Sequence, residues 1–324
     1  MKTKALENTK NVDINSLEDC QSCKPPTLII DDIKWKYLYR SVIKGKTTLI
    51  IGPTGSGKTL AAHSIAKALK REDKFYYFNL GAMTDARCSL IGNTHFDKDT
   101  GTIFDESLFV KAIKTKNSII LLDELSRAHH DAVNILMTVL DELQRYLRID
   151  EKKESDTVKV ADGVTFIGTA NIGNEYTATR VMDRALLNRF SVIIEMNPLS
   201  KEKEFDLMKE RFNLTDENQL KTLNSIVEIA EHTRTQIKSE DPKVSNFLST
   251  RSVVEMTDLL KDGFTLNEIA EAAIYPNFSN DGGVDSERVY MKQLVQKYLE
   301  SPVEQSSPFF PDPDSPVQPP DHPF

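Results

Sequence analysis

The sequence has little cysteine, no long apolar run and no excess of positive charge. Its 324 residues include three cysteines, Cys20, Cys23 and Cys88, which are too few for a disulfide scaffold and indicate a reducing compartment. No apolar run approaches the roughly 18 to 20 residues that span a bilayer. Residues 1–13 contain no hydrophobic segment of the signal-peptide kind. We therefore expect a cytoplasmic protein without a membrane-spanning segment.

The charge balance argues against partners that are bound through a strong positive field. Lysine and arginine number 41 against 49 acidic residues, so the formal net charge is −8. Sequence-independent binding to nucleic acid or to an anionic membrane normally needs the opposite sign. Cys20 and Cys23 form a lone C-x-x-C pair without a second pair or suitably spaced histidines, so the sequence does not predict a zinc site.

Shifts in composition divide the chain into four parts. Residues 1–26 are polar and aperiodic, as in a flexible lead-in, whereas residues 27–198 alternate short apolar runs with helical patterns. Residues 199–300 keep the helical periodicity and lose the strand signal, which predicts a small all-helical domain. Residues 301–324 contain eight of the fourteen prolines, four acidic residues and no Lys or Arg. We expect a disordered tail there, with a docking peptide as the alternative.

Five apolar runs define the predicted sheet. They are rich in β-branched and aromatic residues, and helical patterns separate them, which is typical of a parallel sheet covered by helices on both faces. The fold class is therefore α/β, followed by the helical domain. The five runs are Thr47–Ile51, Phe75–Leu80, Ser118–Leu122, Val164–Thr169 and Ser191–Glu195.

A phosphate-binding motif follows the first predicted strand. The stretch GPTGSGKT from Gly52 to Thr59 fits the pattern G-x-x-x-x-G-K-[ST], and a helical pattern starts directly after it. The glycines allow backbone N–H groups to surround phosphate oxygens, and the helix N-terminus adds its positive end. Lys58 would reach the β- and γ-phosphates, and the Thr59 hydroxyl would bind Mg²⁺. The alternative, a plain glycine-rich turn, does not explain the position between strand and helix.

Two carboxylates follow the third predicted strand. Asp123 and Glu124 end the run SIILLDE, at the strand end where ligands bind in open α/β sheets. Asp123 would hold Mg²⁺ directly or through water. Glu124 would polarise the attacking water as a general base. An acidic pair of this kind is also common in solvated loops, but a phosphate loop some sixty residues upstream favours the metal-binding interpretation.

Polar residues near the last two strands complete the candidate site. Asn171 follows the fourth strand, where an amide would donate to the γ-phosphate or position the water; a turn asparagine is the alternative. Arg184 and Arg189 precede the last strand. An arginine accelerates phosphoryl transfer when it neutralises the developing charge, although both could form ordinary surface ion pairs.

The order and spacing of four motifs resemble an AAA+ ATPase. These motifs are GPTGSGKT, IILLDELSRA, TAN and LLNRF. Within the superfamily the chain resembles the MoxR group and the related small subunit of cobaltochelatase. The resemblance implies a P-loop domain with a five-stranded parallel sheet, a helical lid domain, and Mg²⁺-dependent ATP hydrolysis between the subunits of a ring, expected to be a hexamer.

The resemblance also implies a role for each motif. Asp123 and Glu124 would form Walker B, Asn171 would be sensor 1, and Arg251, in the segment STRS, would be sensor 2. Arg189 would be the arginine finger acting on a neighbouring subunit, with Arg184 as the alternative. Walker A and the residue after it would contact the nucleotide through Gly52, Pro53, Thr54, Gly55, Ser56, Gly57, Lys58, Thr59 and Leu60.

Two insertions place the chain more closely within this group. Residues 90–104 have the apolar, turn-rich, apolar pattern of a hairpin and resemble the helix-2 insert of the MoxR-containing clade. Residues 146–160 predict a second hairpin that resembles the pre-sensor-1 hairpin of that clade. Surface excursions without a role are the alternative.

The sequence leads to one functional hypothesis and two alternatives. We expect ATP turnover by a ring to remodel a protein partner or its client, or to insert a metal into it. By resemblance the partner would carry a von Willebrand A domain or be a chelatase-type subunit. The alternatives are a nucleotide-switch scaffold that hydrolyses ATP slowly, and a motor that threads nucleic acid.

Overall fold

The computed structural model describes residues 23–99, 101–150, 156–171 and 182–299. Two compact units divide between Pro198 and Leu199. Most of the predicted lead-in, including Cys20, and the whole predicted tail lie outside the described residues. Among the described helices none is long and apolar enough to cross a membrane.

The first unit alternates strands and helices along the chain. Its helices are α1 (Asp32–Ile43), α2 (Lys58–Ala68), α3 (Ala86–Leu90), α4 (Leu108–Lys114), α5 (His130–Leu140) and α6 (Arg184–Leu187). Its strands are β1 (Thr48–Ile51), β2 (Phe75–Asn79), β3 (Gly92–Asp97), β4 (Gly101–Glu106), β5 (Ile119–Asp123), β6 (Tyr146–Ile149), β7 (Asp156–Lys159), β8 (Thr165–Ala170) and β9 (Val192–Glu195).

Five strands form one parallel sheet in the order β2-β5-β8-β1-β9. Each of them overlaps one of the five predicted runs, so the predicted fold class is confirmed. The central strands carry the longest apolar stretches because both faces are covered: every residue of β8 is buried, and so are the first four of β5. All carboxyl ends lie at one edge, where Asn79 is opposite Asp123 and Ile51 is opposite Ala170.

Both predicted hairpins are present as two-stranded antiparallel ribbons. β3 pairs with β4 from Gly92 opposite Glu106 to Asp97 opposite Gly101, and β6 pairs with β7. The first ribbon extends two residues beyond the predicted end at Phe104, because Asp105 and Glu106 continue the pairing. At this ribbon Phe96 is exposed, whereas Ile149 of the second ribbon is buried in the core of the first unit.

The second unit contains only helices and turns among its described residues. The α-helices of this unit pack around one apolar core. These helices are α7 (Lys201–Phe212), α8 (Glu217–Gln236), α9 (Thr250–Lys261), α10 (Leu266–Ile269) and α11 (Glu287–Leu299). The pattern over 266–275 predicts one helix, but the structure has α10, then a π-helical turn at Ala270–Ile274 and a 3₁₀ turn at Tyr275–Asn277. Pro276 explains the change, since it lacks an N–H and its ring clashes with the preceding turn.

A buried ion pair holds three parts of the second unit together. Arg234 of α8 donates two hydrogen bonds to Glu204 of α7, at 2.8 and 2.9 Å, and its Nε donates to the Leu248 carbonyl at 2.8 Å. The side chains of Glu204 and Arg234 are 0% and 6% exposed. The bidentate geometry and the third acceptor satisfy most of the buried guanidinium.

We predict that Glu204→Leu lowers the free energy of unfolding of the second unit by about 3–5 kcal/mol, because the buried arginine charge loses its bidentate partner. The carboxylate that remains, Glu231 at 3.8 Å, has a 46% exposed side chain and makes a weak pair. Calorimetric unfolding of the full chain measures the effect. Lys243→Ala is the matched control, since it breaks an ion pair with Asp241 whose side chains are 55% and 83% exposed. The control should change stability by at most about 1 kcal/mol. Equal losses in the two variants would mean that burial does not determine the contribution of these pairs.

Candidate functional site

The predicted phosphate loop connects β1 to α2 at the carboxyl edge of the sheet. Its first residue, Gly52, has φ 151°, and a Cβ atom there would lie 2.1 Å from the Met196 carbonyl oxygen. Gly57 has φ 86° and is the N-cap of α2. Both positions therefore require glycine, the first for close backbone approach and the second for a left-handed conformation. The Ser56 N–H donates to the Pro53 carbonyl at 3.3 Å, which closes a turn within the loop.

Neighbouring strands fix the base of this loop. The Gly52 N–H donates to the carbonyl of Ala170, the last residue of β8, at 3.3 Å. On the other side the Met196 N–H donates to the Ile51 carbonyl at 2.8 Å. The loop therefore begins at a fixed position between two paired strands.

The interior of the loop carries groups that suit phosphate oxygens. Lys58 is 9% exposed, and its Nζ donates to the carbonyls of Gly52 and Pro53 at 2.9 and 2.7 Å. The Ser56 hydroxyl is buried and has no hydrogen-bond partner among the described residues. A buried ammonium and an unpartnered hydroxyl at a helix N-terminus are the donors that an anionic ligand needs. This loop therefore fits the phosphates of a nucleotide.

A cluster of hydroxyl groups surrounds the Asp123 carboxylate. The Thr59 Oγ1 donates to its Oδ1 at 3.3 Å, and the Thr169 hydroxyl donates to the same oxygen. The Tyr77 hydroxyl donates to Oδ2 at 3.0 Å. Thr59 and Asp123 thus present hard oxygen ligands side by side, and this is the donor set that Mg²⁺ prefers.

Sequence reasoning did not identify Tyr77 or Thr169. Partial burial and the hydrogen bond to Asp123 raise the pKa of Tyr77, so its phenol stays protonated and able to donate. Thr169 is the second-last residue of the buried strand β8, two residues before Asn171, and Tyr77 lies two residues before the end of β2. A polar side chain near the carboxyl end of a neighbouring strand was the available signal for both.

Glu124 has a backbone conformation that separates it from the strand it follows. Its φ of 56° and ψ of 40° lie in the left-handed region, and its N–H donates to Thr169 Oγ1 at 3.1 Å. Thr169 therefore binds both members of the acidic pair. The Glu124 carboxylate is partly exposed and lies 3.6 Å from a terminal nitrogen of Arg127. The two carboxylates of the pair thus lie in different environments.

The structure brings Lys58, Thr59, Asp123 and Asn171 to one edge of the sheet. Asn171 directly follows β8 and is half-buried. Leu60, the residue after Thr59 in α2, is exposed. Among the described residues no group of three or more His, Cys, Asp or Glu side chains could hold a metal, and Cys23 is exposed.

The two predicted arginines differ in their surroundings. Arg189 donates to the carbonyls of Met137 and Ala185 at 2.8 and 2.6 Å, and one of its terminal nitrogens lies 3.8 Å from Asp141. Arg189 lines an open cavity of about 480 Å³. Other residues that line this cavity are Lys46, Asp141, Glu142, Asn188 and Ser191. Arg184 is exposed and is the first residue of α6.

Arg251 belongs to the second unit. It lies in the first turn of α9, where it is exposed, and Ser249 caps that helix by accepting from the Ser252 N–H. Its predicted role in nucleotide sensing stays a prediction.

Two family profiles match consecutive parts of the chain. The AAA domain of the dynein-related subfamily matches residues 47–212, which is just over half of the chain. The C-terminal domain of the CbbQ/NirQ/NorQ proteins matches residues 214–296.

Similar proteins include one with a chaperone name. The putative chaperone BssE of Thauera aromatica is 27% identical over 227 residues, which cover 70% of this chain and 73% of that protein. An uncharacterized protein of Staphylococcus saprophyticus is 28% identical over 217 residues, with 66% of this chain and 78% of that protein covered. The mitochondrial Lon protease homolog 1 of Dictyostelium discoideum is 33% identical over 193 residues; the match covers 56% of this chain and 19% of that protein.

Proposed function

The chain belongs to the MoxR-like AAA+ ATPases, and from that premise we propose that it hydrolyses ATP with Mg²⁺ and uses the turnover to remodel a partner protein or its client. The observation that carries the proposal is the position of the phosphate loop beside Asp123, with 3.3 Å between Thr59 Oγ1 and Asp123 Oδ1. A cytoplasmic location and insertion of a metal into a client are further parts of the proposal.

In this proposal the loop from Gly52 to Leu60 binds the nucleotide. Its backbone N–H groups and the Ser56 hydroxyl donate to phosphate oxygens, and Lys58 exchanges its two carbonyl partners for phosphate oxygens. Thr59 and Asp123 hold Mg²⁺. The bound metal supplies charge neutralisation at the phosphates.

Glu124 is the proposed general base, and Asn171 positions the attacking water or the γ-phosphate. The Glu124 carboxylate must accept a proton from water, and its contact with Arg127 does not prevent that. Both side chains are more than a third exposed, at 35% and 42%, and such pairs contribute about 0–1 kcal/mol. The Glu124 backbone meanwhile stays hydrogen-bonded to Thr169. We infer that the side chain turns while the backbone remains in place.

We propose that the sites are completed in a ring, expected to be a hexamer. Arg189, or alternatively Arg184, would reach the γ-phosphate of the neighbouring subunit, and Arg251 would act as sensor 2 within the helical domain at 199–300. A partner with a von Willebrand A domain or of the chelatase type fits this scheme. The similarity to a protein named a putative chaperone supports the remodelling function.

Steady-state phosphate release tests the proposal. We expect Mg²⁺-dependent ATP hydrolysis that EDTA abolishes and that a von Willebrand A-domain partner, captured from the native host with the Glu124→Gln protein, stimulates. Assembly on ATP with negligible release, with and without that partner, would instead indicate a nucleotide-switch scaffold. Stimulation by single-stranded DNA and not by the protein partner would indicate a nucleic-acid motor.

A further inference from the structure

Three hydroxyl groups from three different elements converge on the Asp123 carboxylate. Thr59 comes from α2, Thr169 from β8 and Tyr77 from β2. Thr59 and Thr169 both donate to Oδ1, whereas Tyr77 donates to Oδ2 at 3.0 Å. The two oxygens of this carboxylate therefore have different partners, and the phenol is the one on the Oδ2 side among the described hydrogen bonds.

The two partners of Oδ1 respond differently when a metal binds. The Thr59 hydroxyl is itself a proposed Mg²⁺ ligand, so its hydrogen bond to Oδ1 at 3.3 Å competes with the metal. The Thr169 hydroxyl accepts from the Glu124 N–H at 3.1 Å through a lone pair, so its O–H remains free to donate to Oδ1. The Tyr77 hydroxyl lies on the opposite side of the carboxylate and can keep its bond whether or not the metal is present.

We propose that Tyr77 is a positioning residue for the Mg²⁺ site. Its phenol fixes the plane of the Asp123 carboxylate so that Oδ1 faces the metal. The terminal torsion of an aspartate is broad and two-fold, and a donor on each oxygen restricts it. Mg²⁺ demands near-ideal octahedral geometry, so it gains from a carboxylate that is already oriented. The proposal rests on the function proposed above, in which Asp123 serves the metal.

The expected magnitude follows from the exposure of the tyrosine. Groups that orient metal ligands typically change metal affinity by about 10- to 100-fold when they are removed. Tyr77 is 44% exposed, and water can replace part of its hydrogen bond. We therefore expect Tyr77→Phe to raise the Mg²⁺ concentration needed for half-maximal effect by about fivefold to tenfold.

The adjacent residue supplies a matched control. Tyr76 lies on the same strand, and successive side chains of a strand point to opposite faces. Its hydroxyl is 3.5 Å from Thr115 Oγ1, away from the carboxylate, and its ring packs against the apolar core. Tyr76→Phe removes the same atom from the same strand and should leave the metal requirement unchanged.

Binding of a non-hydrolysable ATP analogue, titrated with Mg²⁺, tests the proposal without relying on activity. In Tyr77→Phe we expect unchanged affinity for the analogue in EDTA and a fivefold to tenfold higher half-maximal Mg²⁺ concentration. An unchanged Mg²⁺ requirement, or equal shifts in Tyr76→Phe and Tyr77→Phe, would overturn the role of Tyr77. Binding by the wild-type protein that shows no response to Mg²⁺ would instead overturn the proposed metal site, and the role of Tyr77 with it.

Discussion

Lys58→Ala protein should fail to bind ATP, whereas Glu124→Gln protein should bind ATP and hydrolyse it about 10²- to 10⁴-fold more slowly. Lys58 is buried at the phosphate loop, where its ammonium is held by the Gly52 and Pro53 carbonyls. Removing it takes away the cationic side chain of the loop and its charge-assisted contacts to phosphate. Isothermal titration calorimetry with ATP and Mg²⁺ measures the loss.

The glutamine variant separates binding from chemistry. Gln has the shape of Glu, and the backbone N–H that bonds Thr169 is unchanged, so the loop and the metal ligands should be undisturbed. It cannot accept a proton, and a positioned general base contributes about 10²- to 10⁴-fold to a rate. We therefore expect normal ATP affinity with phosphate release reduced within that range. Near-wild-type turnover would remove Glu124 from the role of base.

Lys67→Ala is the control for the loss of a lysine. Lys67 lies on the same helix and is exposed, and its substitution by alanine removes the same charge from the chain. It should bind and hydrolyse ATP normally. If Lys58→Ala and Lys67→Ala both retain ATP binding, the phosphates bind elsewhere, and the interpretation of the Gly52–Thr59 loop is wrong.

The strands could be predicted from the sequence because parallel strands with both faces covered are continuously apolar. Ser118–Leu122 is such a run, and the structure has β5 at Ile119–Asp123. The order of the strands across the sheet follows from no local pattern, since β8 lies between β1 and β5 although more than forty residues separate it from either. Long-range pairing decides that order.

The site could be predicted in part. The phosphate loop is recognisable in the sequence because Gly52 and Gly57 adopt backbone conformations that other residues do not fit, so glycine is required there. Tyr77 gave a weaker signal, its place near the carboxyl end of β2, because an aromatic residue in an apolar strand is usually part of the core. Its hydroxyl acquires a role only from the register that brings the ends of β2 and β5 together. The contacts of Arg189 with Met137 could not be foreseen either, because they join segments fifty-two residues apart.

These contacts bear on the proposed arginine finger. Arg189 donates to two carbonyls of its own subunit, at Met137 and Ala185, and lies 3.8 Å from Asp141. A hydrogen bond from a charged group contributes about 1.5–3 kcal/mol. An arginine finger contributes about 10³- to 10⁵-fold in rate, which corresponds to about 4–7 kcal/mol. Arg189 makes two such bonds, about 3–6 kcal/mol together, which is comparable with the contribution of the finger. We therefore expect Arg189 to exchange the carbonyls for the γ-phosphate of a neighbour only in the assembled ring.

Arg189→Ala should consequently have two separate effects. Loss of the two carbonyl contacts should lower the stability of the first unit by about 3–6 kcal/mol, which thermal unfolding of the unassembled protein measures. Phosphate release should fall by about 10³-fold or more while ATP binding and assembly persist. Arg184→Ala is the discriminating variant: this arginine is exposed on the same short segment, so if Arg189 is the finger, its removal should change neither stability nor turnover appreciably.

Mixed rings decide whether the arginine acts across subunits. Arg189→Ala subunits keep Lys58, and Lys58→Ala subunits keep Arg189, so an intact loop meets an intact arginine where the first kind of subunit borders the second on the correct side. Mixing the two inactive proteins should restore a fraction of the hydrolysis that rises and falls with their ratio. Rings shown to contain both variants but without recovered activity would contradict a shared site. Normal hydrolysis by Arg189→Ala, together with loss of activity in Arg184→Ala, would assign the finger to Arg184 and leave Arg189 as a residue that joins α5 to α6.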